Sequence, residues 1–299
     1  MQRRIFLRNT AFLAGASLLF QKRAVAQLFR TSEYNIKMLT KNVGIFTERG
    51  GTIGFMITAE GIIAIDAQFP DTATHFIEEA KKRSEKSVAY LLNTHHHGDH
   101  TAGNIAFKGI VGHVLAHENS LTNQRAVAEK ANALDKQLLP DMTFKDETKL
   151  KLGKGKIKGY YFGAGHTNGD AVYHFEDEGI VHVGDLVFNR RHPFVDRPGG
   201  ASIVSWTTVL DKIAGKFDKD TTYIFGHSGT GYDVTGKKAD VLAFKEYLQK
   251  VLDFAASEIK AGKTKEEFIK NTEVPGVTEW KGDGLQRPLT AAYEELTSK

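Results

Sequence analysis

Four histidines and one aspartate fall within six residues, His95-His96-His97-Gly98-Asp99-His100, and this run constrains the fold more than any other stretch. It directly follows an apolar segment, Val88-Ala89-Tyr90-Leu91-Leu92, that reads as a buried strand. It precedes Thr101-Ala102-Gly103-Asn104, which reads as a helix entry. Imidazole nitrogens and a carboxylate oxygen are donors for a borderline-soft cation such as zinc. A tight loop at the C-terminal end of a strand can direct several of them into one cleft. An exposed polar turn would use the same residue types, but the run does not stand alone.

Three further candidates follow in order: His166 in Phe162-Gly163-Ala164-Gly165-His166-Thr167, Asp185 in Val181-His182-Val183-Gly184-Asp185, and His227 in Tyr223-Ile224-Phe225-Gly226-His227-Ser228. Each follows a glycine, which lets the chain turn sharply and leaves room beside a metal site. Asp185 and His227 also end short apolar runs that read as strands. With these residues in view, the chain resembles the metallo-β-lactamase-fold hydrolases, whose signature is H-x-H-x-D-H followed by a distant His, Asp and His. The resemblance covers nearly all of the chain after residue 30 and implies a four-layer αββα sandwich of the α/β class.

The resemblance implies a two-metal site in which His95, His97 and His166 hold one ion and Asp99, His100 and His227 the other, with Asp185 bridging. Seven donors exceed what one tetrahedral zinc takes but suit two ions sharing a carboxylate and a hydroxide. Zinc is the expected metal, with iron or manganese as alternatives. The implied activity is hydrolysis of an ester, thioester, lactone or amide carbonyl by a metal-bridging hydroxide, Asp99 orienting it and taking its proton. His96 lies between two donors and is expected to act from outside the metal shell. Three other functions fit the same residues: a β-lactamase, a mononuclear-iron oxidoreductase similar to persulfide dioxygenases, and an exported metal-binding accessory factor without turnover. A Glu at the position of His97 and a flavin domain would mark the flavin-linked diiron branch, and both are absent.

Residues 1–26 read as an export signal of the twin-arginine type. Gln2-Arg3-Arg4-Ile5-Phe6-Leu7-Arg8 precedes an apolar run, Ala11 to Phe20, and a small-residue cleavage site, Ala24-Val25-Ala26. Gln2 and Arg8 depart from the usual pattern. The run is about half the ~20 residues a bilayer span needs, so no stable membrane anchor is expected, and the protein is expected to be periplasmic or secreted through the export machinery. The segment carries five basic residues and no acidic one, which leaves 35 basic against 36 acidic residues in residues 27–299. Nothing in that balance suggests a nucleic-acid surface, and the expected partner is a small-molecule substrate. The absence of cysteine excludes disulfides, thiolate ligands and a lipoprotein anchor.

Residues 27–299 suit one α/β domain ending in helices. Strands are expected at residues 36–39, 43–47, 53–58, 62–66, 88–93, 111–116, 171–175, 179–183 and 222–225, with hairpin strands over 143–162. Helices are expected at 73–85, 118–133, 203–216, 238–261, 264–271 and 288–297. Asp66, ending its strand, is a candidate to accept a hydrogen bond from a ligand histidine. Arg190, Arg191 and His192 follow the Asp185 strand and are candidates to hold a substrate carboxylate or polarise a carbonyl. His117, His174 and His182 read as buried polar or capping residues, and Trp206 and Phe194 as core, with the wall of an apolar pocket as the alternative.

Overall fold

The computed structural model describes residues 34–298, so the proposed export signal lies outside the described residues. Two sheets form the centre. The first runs β1 (Asn35–Met38), β2 (Val43–Thr47), β3 (Ile53–Ile57), β4 (Ile62–Ile65), β5 (Val88–Leu92), β6 (Val111–His117) and β7 (Met142–Phe144), in sequence order. Pairing is antiparallel from β2 to β4 and parallel from β4 to β7. The second sheet contains β8 (Glu147–Leu152), β9 (Gly155–Tyr161), β10 (Ala171–Phe175), β11 (Ile180–Asn189), β12 (Thr222–Ser228) and β13 (Thr235–Gly236), again in sequence order. Its only parallel pair among the described residues is β11 with β12.

Alternation along the strands builds three apolar layers. Val43, Ile45, Met56, Ile63 and Ile65 face Ile157, Tyr173, Phe175 and Ile224 between the sheets. The opposite residues of the first sheet, Phe46, Phe55, Ile62 and Ala64, pack on Ala73, Phe76 and Ala80 of helix α1 (Pro70–Arg83). Phe76 meets Phe46 and Phe55 with ring centroids 5.7 and 5.5 Å apart, one contact edge-on and one tilted. The outer face of the second sheet, with Val181, Val183, Tyr223 and Phe225, packs on α4 (Ile203–Lys216), α5 (Lys238–Lys260) and α7 (Gln286–Thr297). Strands buried on both faces need apolar residues at every position rather than at alternate ones, which is why these strands read as continuous apolar runs. The result is the expected αββα sandwich.

Short helices complete the order: α2 (Gly98–Thr101), α3 (Glu118–Lys130) and α6 (Lys265–Phe268). Several boundaries differ from the sequence reading, and three of them shape the site or the sheets. Helix α1 begins at Pro70, where a proline costs no hydrogen bond because the first-turn N–H has no intrahelical partner. Strand β11 continues through Asp185 to Asn189, with register shifts around Gly184. β7, expected within a hairpin with β8 and β9, instead joins the first sheet beside β6. Among the described residues no helix is long and apolar enough to cross a membrane.

Candidate metal centre

The histidine run leaves the C-terminal end of β5, where two parallel strands deliver their residues to one edge. Ile65 of β4 pairs with Leu92 of β5, so Asp66 emerges beside Thr94. From the second sheet, β11 and β12 run parallel and bring Asp185 and His227 to the same edge. His166 arrives on the loop before β10. Its turn is tied by the Asp170 carboxylate, which accepts from the Thr167 hydroxyl (2.6 Å) and from the Thr167 and Gly165 amides.

These residues form two adjoining groups. His95, His97, His166 and Asp185 have donor atoms all within 4.8 Å of one another, as do Asp99, His100 and His227. His97 Nδ1 lies 3.1 Å from His95 Nε2 and 2.8 Å from His166 Nε2. Asp185 stands between the groups. Its Oδ1 is 3.0 Å from His100 Nε2, and its Oδ2 is 3.4 Å from both His166 Nε2 and His227 Nε2. Asp99 Oδ2 lies 3.1 Å from His227 Nε2. Two glycines make the approach feasible: a Cβ on Gly226 would overlap the Asp185 carboxylate, and one on Gly51 would overlap the His100 ring.

Hydrogen bonds behind the histidines decide which nitrogen faces inward. His166 Nδ1–H donates to the Phe194 carbonyl (2.8 Å), leaving Nε2 with its lone pair toward the centre. His97 Nε2–H donates to Asp196 Oδ2 (3.0 Å), leaving Nδ1 inward. Asp66, fully buried, accepts from His100 Nδ1–H (2.7 Å), from the Thr94 amide (2.8 Å) and from the Thr94 hydroxyl (2.7 Å). That hydroxyl, already donating to Asp66, accepts from His95 Nδ1–H (3.1 Å). Four imidazoles are thereby set in the tautomer whose free lone pair points to the centre. Unprotonated nitrogens 2.8–3.1 Å apart repel one another unless a cation lies among them. The donor set therefore fits metal ions on its own chemistry.

The electrostatics agree. Burial, then the neighbouring His97, pushes His166 down to about 3. Burial and His100 hold His95 well below its ordinary value. Burial would also depress His100 and His227, but Asp185 outweighs it, keeping His100 well above the usual range and lifting His227 to about 9. Burial opposes charge on Asp185, yet His227 and His100 draw it well below the carboxylate range. Asp99 falls to about 2 despite burial, through its hydrogen bond with His227 and the charge of His100. The buried carboxylates thus demand positive charge, which protons on His100 and His227 supply when no ion does.

The structure brings the seven residues singled out in the sequence together at this edge, and there Asp66 accepts a hydrogen bond from His100. His96 lies outside both groups. Its Nε2 is 3.2 Å from Asp196 Oδ2, the oxygen that also accepts from His97, while its Nδ1 is buried without a partner. Of the three basic candidates after β11, Arg191 and His192 line the cleft in front of the donors, which measures about 430 Å³. Arg190 turns away: it pairs with Asp240 (3.0 Å) and sits over the Trp280 ring. His117 caps α3 and also bonds the Lys145 carbonyl, and His182 bonds the Thr52 carbonyl. Trp206 is core, its indole N–H donating to the Leu186 carbonyl. Phe194 takes the alternative to core packing: it is 41% exposed on the cleft wall. Sequence reasoning missed Thr94, Asp170, Asp196, Asp283 and Arg287. Only Thr94, adjoining the histidine run, carried a positional signal.

The family model of the Metallo-beta-lactamase superfamily matches residues 48–227, ending on the last of the seven donors. A type 2 metallo-beta-lactamase of Bacillus cereus is 26% identical over 210 residues, covering 67% of this chain and 79% of that protein. A hydroxyacylglutathione hydrolase of Methylococcus capsulatus is 28% identical over 136 residues, 45% of this chain and 47% of that protein. Among solved structures, a metallo-beta-lactamase from Pontibacter korlensis shares the fold with a TM-score of 0.62 at 19% identity, covering 73% of this chain and 99% of that one. A stereoselective inverting sec-alkylsulfatase from Pseudomonas sp. reaches 0.70 at 14% identity, over 88% of this chain and 50% of that one. With this donor set at the edge of an αββα sandwich, and with more than half its length inside the family model, the chain belongs to the metallo-beta-lactamase superfamily.

Proposed function

We propose that the protein is an exported, dinuclear metal-dependent hydrolase acting on an ester, thioester, lactone or amide carbonyl. The observation that carries this reading is the set of four imidazoles whose outer nitrogens are held by hydrogen bonds so that the other nitrogen faces the centre, in two groups with Asp185 between them. His95, His97 and His166 would hold one ion and Asp99, His100 and His227 the other, with Asp185 common to both and zinc the metal that best suits imidazole and carboxylate donors. Bound there, the ions would supply Lewis acidity and a water made acidic enough to ionise near neutral pH.

The chain's own groups define the rest. Asp99 is ionised at neutral pH and a third exposed to the cleft, so its carboxylate can accept a hydrogen bond from the attacking water and receive its proton. A carboxylate lowered to about 2 is a weak base, so it orients the water more than it drives deprotonation. Phe188, stacked on His227 at 5.5 Å, and Phe194, 5.3 Å from the His97 ring, give the cleft apolar walls that limit water. Residues 1–26 would direct export by the twin-arginine route.

A β-lactamase is the second reading, favoured by the named Bacillus relative. One experiment tests both. Metal analysis of the purified protein should give close to two zinc-type ions per chain, and a screen of nitrocefin, thioesters, lactones and a persulfide should show carbonyl hydrolysis. One iron per chain with persulfide oxidation would remove the dinuclear hydrolase, and a full metal complement with no turnover of any substrate would favour an accessory factor.

A further inference from the structure

Arg190 faces away from the cleft, and its contacts there join three parts of the chain. Its backbone is left-handed, with φ 55°, which is uncommon for a residue with a side chain. The loop between β12 and β13 is pressed against this turn: Gly229 N–H donates to the Asn189 carbonyl (2.7 Å), and a Cβ on Gly229 would overlap the Arg190 carbonyl. The Arg190 side chain is largely buried. Its Nη1 donates to Asp240 Oδ1 at the start of α5 (3.0 Å), and its Nε lies 3.5 Å from Glu279 Oε2. The guanidinium lies over the rings of Trp280 and Tyr232, 5.1 and 5.7 Å from their centroids.

From Trp280 a stack of rings leads back to the cleft. Trp280 lies on Tyr247 of α5, with centroids 4.8 Å and planes 14° apart. The Tyr247 hydroxyl is 2.8 Å from His192 Nδ1, and His192 lines the cleft in front of the metal donors. Tyr247 is buried, and its hydroxyl has no other hydrogen-bond partner among the described residues. A buried O–H without an acceptor is costly, so the hydroxyl donates to Nδ1 and His192 carries its hydrogen on Nε2. Burial holds the His192 ring below its ordinary value, so it is uncharged at neutral pH.

Resting on the hydrolase reading above, we propose that Arg190 is a positioning residue: by clamping Trp280 against Tyr247 it keeps the His192 ring fixed at the cleft, where Nε2–H donates to an oxygen of the bound substrate. Arg190 itself touches no substrate. A cation over an indole and two offset rings are each modest attractions, and their effect here is to hold one N–H in one orientation. A donor already held in place loses little freedom when the substrate arrives, so a residue outside the cleft can set affinity within it.

The test reads the His192 tautomer and the kinetics together on the metal-loaded protein. The side-chain 15N resonances of His192, assigned by their loss in His192→Gln, should show one neutral form with its hydrogen on Nε2. Tyr247→Phe keeps the stack but removes the donor, and should give both tautomers. Arg190→Ala should give both as well, because the stack loosens. Arg190→Lys keeps the charge beside Asp240 but not the flat face over Trp280, and should fall between; if Arg190→Ala does not fold, Arg190→Lys carries the comparison. With 4-nitrophenyl acetate, Arg190→Ala should raise KM about two- to tenfold, the worth of one hydrogen bond, with kcat and metal content near wild type. Combining Arg190→Ala with Tyr247→Phe should be no worse than the poorer single variant, since both act through one N–H. A single wild-type tautomer in Arg190→Ala, or losses that multiply in the double variant, overturns the proposal while leaving the hydrolase reading intact. If the ester is not turned over, the hydrolase reading fails separately and the tautomer decides the role of Arg190: mixed forms in its variants support it, and one unchanged form refutes it.

Discussion

Replacing Asp66 by Asn should weaken one metal position without unfolding the protein. Asp66 adopts φ 64°, a left-handed conformation that Asn tolerates nearly as well as any residue except glycine, so the backbone is preserved. The side chain is fully buried and serves three donors: Oδ1 takes the Thr94 amide, and Oδ2 takes the Thr94 hydroxyl and His100 Nδ1–H. An amide has one acceptor oxygen. With that oxygen toward Thr94 N, an NH2 group faces His100 Nδ1 and forces the ring's hydrogen onto Nε2, the nitrogen that faces Asp185 Oδ1 at 3.0 Å. With the amide reversed, two N–H groups oppose each other at Thr94. Either arrangement removes the lone pair or its support, as losses of outer hydrogen-bond partners do in metal sites, at about 10–100-fold in affinity. That equals roughly 1.4–2.7 kcal/mol. Competition with a chromogenic chelator should show the position held by His100 weakened by this factor and the position held by His95, His97 and His166 weakened less, with unchanged far-UV circular dichroism. Two metal affinities equal to the wild type would refute the tautomer argument.

His96→Ala should lower metal content and turnover much less than His95→Ala or His97→Ala. Elemental analysis showing equal losses would overturn the alternating register of donors. In the metal-free protein, thermal stability should peak near pH 6.5. His166 and His95, with lowered folded values, contribute stability above about 6.5 that is lost as pH falls, while His100 and His227, with raised folded values, contribute stability below 6.5 that is lost as pH rises, for His227 through about 9. Calorimetry showing a melting temperature that still climbs between pH 6.5 and 9 would contradict this balance. Metal affinity should instead rise across that interval, because binding displaces the same protons. Arg3→Lys with Arg4→Lys should hold the precursor in the cytoplasm, and fractionation showing unimpaired export would point to the general secretory route.

The donor candidates were legible because four of them crowd into one turn after β5 and the other three each follow a glycine, so composition and spacing pointed the same way. The strands that carry them were legible as apolar runs, but their limits were not. β11 runs on past Asp185 because Leu186, Val187 and Phe188 still have apolar surface to cover, a demand set by α4 and α5 rather than by local pattern. Asp196 escaped notice for a different reason. It lies 99 residues from His97 in a Pro- and Gly-containing loop, and only the folded chain brings its carboxylate onto two consecutive histidine rings. Arg287 and Asp283 lie at and just before the start of α7, with no motif around them to mark them. Phe194 read as core because an aromatic side chain in a short loop carries no mark of which way it faces.

The seven donors divide between the two sheets: His95, His97, Asp99 and His100 ride on the first, and His166, Asp185 and His227 on the second. Ions held by both halves would therefore rivet the layers together at one end, acting on the sandwich as cross-links act on a laminate. Two backbone bonds cross the same joint, Thr52 N–H to the Gly226 carbonyl (3.0 Å) and Ala171 N–H to the Thr94 carbonyl (2.7 Å). Chelation should loosen that joint before it disturbs either sheet. The amide protons of Thr52 and Ala171 would then exchange faster while those at mid-strand, such as Ala64 and Val181, keep their protection.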